Sequence, residues 1–211
     1  GSDASLDAAR RAAAVAQGTL TLLAALDPWD EVLANPSDAD KRSRDPKAER
    51  ESDLARAVTE LSGDTRVEPR FVEDRPQQAL IDEAIRIGAT LIVVGSHGHG
   101  RIAGLVLGSV ASGLVHAAPC SVLVTRPTTD PRTFPTTAVV GIDGSSESAL
   151  ALEAAQTLQT MRATNISVVV ASDGADPEAI LRIVGSRETT ALPGDAVTVL
   201  TEEADNVDLL I

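Results

Sequence analysis

Three short runs of nearly uninterrupted aliphatic residues set the terms on which this chain can fold. They are TLTLLAAL at Thr19–Leu26, LIVVG at Leu91–Gly95 and SVLVT at Ser121–Thr125. A strand with one wet face alternates apolar and polar residues, whereas one that is apolar at nearly every position must be covered on both faces. Between the runs lie segments with helical spacing. Ala4–Ala16 is alanine-rich, and Lys47–Leu61 is charged with a sparse apolar stripe. Gln77–Ile87 sets Leu80, Ala84 and Ile87 on one face with Ile81 and Ile85 beside them, and Ser109–Ala117 does likewise with Val110, Leu114 and Ala117. Strands alternating with helices predict an α/β fold, a parallel sheet with helices on both faces. The aromatic residues are Trp29, Phe71 and Phe134 alone, so the core must be aliphatic and alanine-rich.

Pro127–Thr137, PTTDPRTFPTT, breaks the alternation with three prolines and five threonines and no period. It reads as a linker. After it the pattern restarts. Gly144-Ser145-x-x-Ser148 repeats Gly1-Ser2-x-x-Ser5 at an offset of 143, and NISVVVASD (Asn165–Asp173) repeats TLTLLAALD (Thr19–Asp27) at an offset of 146. Two matching blocks in one order predict a tandem duplication, with units over 1–126 and 138–211. The copies differ in content. AVVGID (Ala138–Asp143) stands before the second Gly-Ser and reads as an opening strand, whereas the string begins at the first Gly-Ser. The second copy stops at VDLLI, which matches the start of LIVVG. It shows no glycine loop and no obvious helix between AVTVL (Ala196–Leu200) and VDLLI (Val207–Ile211). An open sheet without its central strand leaves two neighbours unpaired, so the natural protein is expected to be longer than this string.

Charge and composition narrow the function classes. Eighteen Lys and Arg against 31 Asp and Glu leave a net charge of −13, which repels nucleic-acid phosphates and anionic lipid surfaces. It does not exclude a phosphate ligand, because backbone N–H groups can build an anion site without Lys or Arg. The single cysteine, Cys120, rules out an intramolecular disulfide framework and reads as an inert thiol or a redox group. The sequence shows neither a run of 18 apolar residues nor a basic start followed by an apolar core, so a cytoplasmic location is expected. Asp30–Asp53 is polar and of mixed charge, a lid over a site or a solvated loop running into a helix.

The most informative segment is Val93–Ala111, VVGSHGHGRIAGLVLGSVA. Gly95, Gly98 and Gly108 are spaced as G-x2-G-x9-G-S between a predicted strand and a predicted helix. Glycine lets backbone approach a phosphate without a Cβ in the way. A helix starting at Gly108-Ser109 would add free N–H groups and the positive end of its dipole, with the Ser109 hydroxyl as a further donor. A glycine-rich turn with Ser109 as an ordinary N-cap accounts for the same residues. Two other motifs fail. There is no G-x4-G-K-[ST] P-loop. Gly98-x-Gly100-x3-Gly104 is a loose dinucleotide fingerprint, but it does not follow a unit's first strand and has no acid about 20 residues further on.

The G-x2-G-x9-G-S loop within LIVVGSHG…LGSVASGLVHAAPCSVLVTRP resembles the ATP-binding signature of universal stress proteins, and VVGIDGSSES resembles that family's opening strand, turn and helix start. The resemblance implies a flavodoxin-like doubly wound parallel sheet of strand order 3-2-1-4-5, in two tandem copies, with ATP at the carboxyl ends of the strands. It implies that Gly95, Gly98, Gly108 and Ser109 hold phosphates and ribose, that Val110 and Ala111 contribute backbone at the helix start, and that Ala25 faces adenine. The family's acidic residue after the first strand corresponds to Asp143 in the second half.

His97 and His99 lie two apart, with His116 further on, and no third ligand stands at metal-binding spacing, so Mg²⁺ held by ATP phosphates is expected rather than a protein metal site. Ser96 and Ser109 sit in no G-x-S-x-G and have no base at a usable spacing. The expectation is therefore an ATP-binding stress-response regulatory module rather than a dedicated enzyme. The alternatives are a dimer-forming member without nucleotide, or a slow ATPase. Edge strands such as SVLVT invite either pairing of the two halves or a homodimer.

Overall fold

A computed structural model describes residues 2–29, 45–63, 65–96, 107–126, 133–172 and 189–211. The chain divides into two units, 1–132 and 133–211. In the first, the elements run α1 (Asp3–Val15), β1 (Thr19–Ala25), α2 (Pro46–Leu61), β2 (Arg66–Val72), α3 (Pro76–Ile87), β3 (Leu91–Gly95), α4 (Ser109–Ala117) and β4 (Ser121–Thr125). In the second they run β5 (Thr137–Gly141), α5 (Ser146–Arg162), β6 (Asn165–Ala171), β7 (Thr189–Leu192), α6 (Ala196–Ala204) and β8 (Leu209–Leu210). Every strand pairing is parallel. Helices α2, α4 and α5 stand between the paired strands β1 and β2, β3 and β4, and β5 and β6, as parallel pairing requires.

In the first unit the strands form two separate pairs, β1 with β2 and β3 with β4. Thr19 pairs with Arg66 and Ala25 with Val72, while Leu91 pairs with Ser121 and Gly95 with Thr125. Ala84 of α3, Ile92 of β3 and Leu114 of α4 form the buried centre of one cluster, with Leu80, Val94, Val110 and Val122 around it. Cys120 packs against this cluster, and burial pushes its thiol pKa up, the behaviour of an inert apolar-site thiol. The helix starts carry local signals: the Ser2 side chain accepts from Ser5 N–H, and that of Asp45 from Lys47 and Ala48. Gly88, at φ 64°, ends α3 in the left-handed region where glycine has no steric cost. The segment Asp30–Asp53 becomes helix α2 from Pro46, and the lid reading of residues 30–44 lies outside the described residues.

In the second unit the four strands make one sheet in the order β7-β6-β5-β8. Successive residues of a strand face opposite sides, so β5 and β6 feed two clusters. Val140, Ile142, Val168 and Val170 meet Ala155 of α5 on one face. Val139 and Val169 meet Val199 of α6 on the other.

In two places the structure differs from what the sequence predicts. Thr133–Thr137 is part of the second unit rather than linker: Phe134 and Pro135 are buried, and Thr137 opens β5. The carboxylate of Asp208 explains this end of the segment, since it accepts from Thr136 N–H at 2.8 Å, Thr137 N–H at 3.0 Å and the Thr136 hydroxyl. Burial raises the Asp208 pKa, but these donors from Thr136 and Thr137 outweigh burial, and the carboxyl lies below its usual range. AVTVL (Ala196–Leu200) lies within a helix, despite its β-branched residues. The Asp195 side chain caps it by accepting from Thr198 N–H, and Val199 alone of its valines is buried while Val197 is exposed, a helical spacing.

Candidate functional site

β3 and β4 end side by side, and Ser96 follows β3. Ser96 N–H donates to Thr125 O at 2.8 Å, and its carbonyl accepts from Gly108 N–H at 2.8 Å. One buried residue thus joins the ends of both strands to the start of α4. The chain leaves this junction after Ser96 and returns to it at Leu107-Gly108. The intervening residues, including Gly98, Gly100, Gly104, His97 and His99, lie outside those described.

α4 begins at Ser109, with Gly108 as its N-cap at φ −59° and ψ 157°. Ser109 is therefore the first helical residue and not the cap. Four N–H groups at a helix start lack an intrahelical acceptor. That of Gly108 goes to Ser96, and the other three belong to Ser109, Val110 and Ala111. Among the described residues no side chain caps them, as none caps α3, whereas α1, α2, α5 and α6 each place a Ser or Asp side chain on their first turn. The Ala111 side chain is buried in the core, so only its backbone is available there. Uncapped donors aligned with the positive end of a helix dipole favour an anion.

Gly95 serves the fold at this junction. A Cβ on it would lie 2.9 Å from the carbonyl oxygen of Ala4 and 3.0 Å from its carbonyl carbon, closer than real Cβ atoms come. The first turn of α1 therefore rests directly on the end of β3, and glycine is required there by helix–strand approach. Gly113 likewise lets α4 lie against Gln77 of α3, the position a Cβ would occupy being filled by that side chain. Ala25 ends β1, and the next residue, Leu26, donates its N–H to Val72 O at 2.9 Å. Ala25 thus belongs to the β1–β2 pair, while Gly95, Gly108, Ser109, Val110 and Ala111 gather at the β3–β4 end. The Ser96 clamp was not among the residues read as binding.

In the second unit Asp143 follows β5. Its Oδ1 accepts from Ser145 N–H at 2.9 Å, and its own N–H donates to the Ser148 hydroxyl at 3.4 Å. Hydrogen bonds from Ser145, then from Ser148, hold its pKa down at about 2, so it is charged at neutral pH. Ser145 caps α5 by accepting from Ser148 N–H, as Ser2 caps α1 from Ser5 N–H. Residues 133–211 contain no G-x2-G-x9-G-S. Among the described residues no cluster of three His, Cys, Asp or Glu could hold a metal ion. His116 has its Nδ1 2.8 Å from Ser112 O.

Parallel strands alternating with helices define an α/β protein of the parallel-sheet type. The universal stress protein family model matches residues 1–126, and the chain belongs to that family. A universal stress protein of Thermus aquaticus is 33% identical over 127 residues, covering 57% of this chain and 91% of that protein. One of Mycobacterium tuberculosis is 45% identical over 53 residues, 25% of this chain and 17% of that protein. The crystal structure of a universal stress protein from Archaeoglobus fulgidus aligns with a TM-score of 0.70 at 19% identity, over 97% of this chain and 79% of that one. That likeness and the parallel sheets fit a flavodoxin-like α/β fold. No helix among the described residues is long and apolar enough to cross a membrane.

Proposed function

We propose that the first unit binds an adenine nucleotide, ATP, at the β3–β4–α4 junction and acts as a ligand-sensing module rather than a dedicated enzyme. The observation that carries this reading is the Ser96 clamp, which closes the ends of the glycine loop and leaves the N–H groups of Ser109, Val110 and Ala111 uncapped. A triphosphate would lie across them, with Gly98 and Gly108 allowing close approach and the Ser109 hydroxyl adding a donor. Mg²⁺, when present, would be held by the phosphates. Ala25 would face the adenine. Family membership and the G-x2-G-x9-G-S spacing support the reading. Within it, the two units are copies of one βα arrangement of order 3-2-1-4-5, and the outer edge of β4, unpaired among the described residues, is a surface for self-association in the cytoplasm.

Calorimetric titration of the full chain with ATP and with NAD tests the site. Gly98→Ala and Gly108→Ala should each weaken ATP binding at least about tenfold, or about 1.4 kcal/mol. The backbone of Gly108 at φ −59° is one alanine adopts readily, so the loss there reflects lost space rather than strain. Ser109→Ala should cost less, about 0.5–1.5 kcal/mol for one hydrogen bond. Gly104→Ala is the control. A protein that loses binding through Gly104→Ala while Gly98→Ala and Gly108→Ala leave it intact would contradict the assignment.

A further inference from the structure

α1 carries a charged pair on its packed face. Asp7 and Arg11 are both buried, at 7% and 2% exposure. Arginine is almost never enclosed to this degree unless it is paired. Arg11 Nε donates to Asp7 Oδ2 at 3.1 Å, one helical turn back. Counted from the shared Ser cap, the matching positions of α5 are Leu150 and Ala154. α5 packs Ala151, Leu152 and Ala155 on its sheet without such a pair. A buried ion pair is weak grounds for stability, because desolvation offsets the attraction.

A further bond of Arg11 gives the pair a purpose. Its Nη2 donates to Arg126 O at 2.7 Å. Arg126 follows β4 directly, and the carbonyl one residue earlier, Thr125 O, accepts from Ser96 N–H. Ser96 O in turn accepts from Gly108 N–H. A series of bonds thus runs from inside α1, through the end of β4 and Ser96, to the cap of α4. Ser96 and Thr125, at its middle, are both buried. A hydrogen bond from a charged donor is stronger than a neutral one, and more so away from water. Asp7 compensates the guanidinium and fixes its direction.

We propose that Arg11 is a positioning residue for the α4 start. Through Arg126 O it holds the end of β4 where Ser96 can bridge Thr125 and Gly108, which leaves the N–H groups of Ser109, Val110 and Ala111 open to a phosphate. Its effect on ligand affinity rests on the nucleotide reading above, whereas its hold on the Ser96 clamp does not. The fork of the guanidinium serves Asp7 and Arg126 from two nitrogens, which the single ammonium of lysine does not reproduce.

The test uses the full chain with Asp7→Ala and Arg11→Met together, which removes both charges and leaves no uncompensated carboxylate. Without nucleotide, amide exchange at Ser96 and Gly108 should speed up by about tenfold or more, while the ladder amides within Leu91–Val94 keep their rates. The urea midpoint should stay in place, and MgATP affinity should fall by about tenfold. Arg11→Lys, which keeps the charge opposite Asp7, is the second variant and should speed the same two amides by less. Arg10→Met breaks only the exposed pair with Glu60 and should change none of these. Unchanged exchange at Ser96 and Gly108, or exchange that rises evenly along β3 and β4, would overturn the proposal. So would a loosened clamp with MgATP affinity intact. An unaltered chain that binds no MgATP would overturn the nucleotide reading alone, and the exchange result would then decide this one.

Discussion

The two units share a capped helix, a β-branched or leucine-rich second strand and parallel pairing, yet they are held together differently. The second has a strand at the centre of its sheet, and both faces of that strand are buried: Val140 under α5 and Val139 under α6. The first has two strand pairs and keeps its buried cluster on one of them, between β3, α3 and α4. NISVVVA and TLTLLAA are nearly equivalent in hydrophobicity, but only the former buries consecutive side chains. In the second unit β5 pairs along the inner edge of β6, and among the described residues no strand pairs with β1 on that side. The glycine loop and the start of α4 lie in the first unit, and Asp143 lies in the second.

The largest expected effect breaks this contrast at matched positions. Val168→Ala should destabilise the second unit by about 2–3 kcal/mol, through lost transfer energy and a cavity in a sealed site. Leu22→Ala at the matching position deletes more atoms but should cost only about 1 kcal/mol, because half-buried methyl groups gain less on folding. Urea unfolding followed by backbone amide signals of each unit measures both. Equal costs would mean that the two strands are equally enclosed.

Gly95→Ala comes next. Its Cβ would press on the Ala4 backbone, which cannot rotate away, so about 1–3 kcal/mol should be lost as α1 lifts from β3. The same unfolding measurement should place the loss in the first unit alone. Unchanged stability combined with lost ATP binding would return Gly95 to a purely ligand-facing role.

The smallest effect is electrostatic. Asp143 titrates at about 2 in the folded chain, below the ordinary value of about 3.9. A depressed folded pKa means that its stabilising contribution is whole above about pH 4 and fades as pH falls toward 2. Carboxyl carbon shifts should follow that titration, and Ser145→Ala should move it upward by removing the hydroxyl's hydrogen bond while the backbone N–H bond of residue 145 remains. A midpoint near 4 in the unaltered protein would show that those bonds do not form.

Much of this architecture was legible because aliphatic runs and glycine caps are local signals. LIVVG and SVLVT became β3 and β4 with the expected ends, and the Gly-Ser steps became helix starts. What escaped was set by neighbours distant in sequence. β2 reads RVEPRFV, with charges that its exposed positions tolerate, so its sequence carries no apolar run. AVTVL has a strand's composition, and Asp195 with the turn at Gly194 makes it a helix. At the site, Gly108-Ser109 marked the helix start, but the role of cap fell to Gly108. Nothing in the sequence announces a backbone bond from Gly108 to Ser96, nor that Gly95 answers to Ala4.

In the reading proposed above, the α4 start of the first unit receives the nucleotide. Backbone amide shifts of the full chain during titration with MgATP test it most directly. The largest changes are expected at Ser109, Val110 and Ala111, smaller ones at Gly95 and Ala25, and none at Asp143 or Ser145. Shifts centred on Asp143–Ser145, or an unchanged spectrum at millimolar MgATP (about −4 kcal/mol of binding free energy), would contradict it.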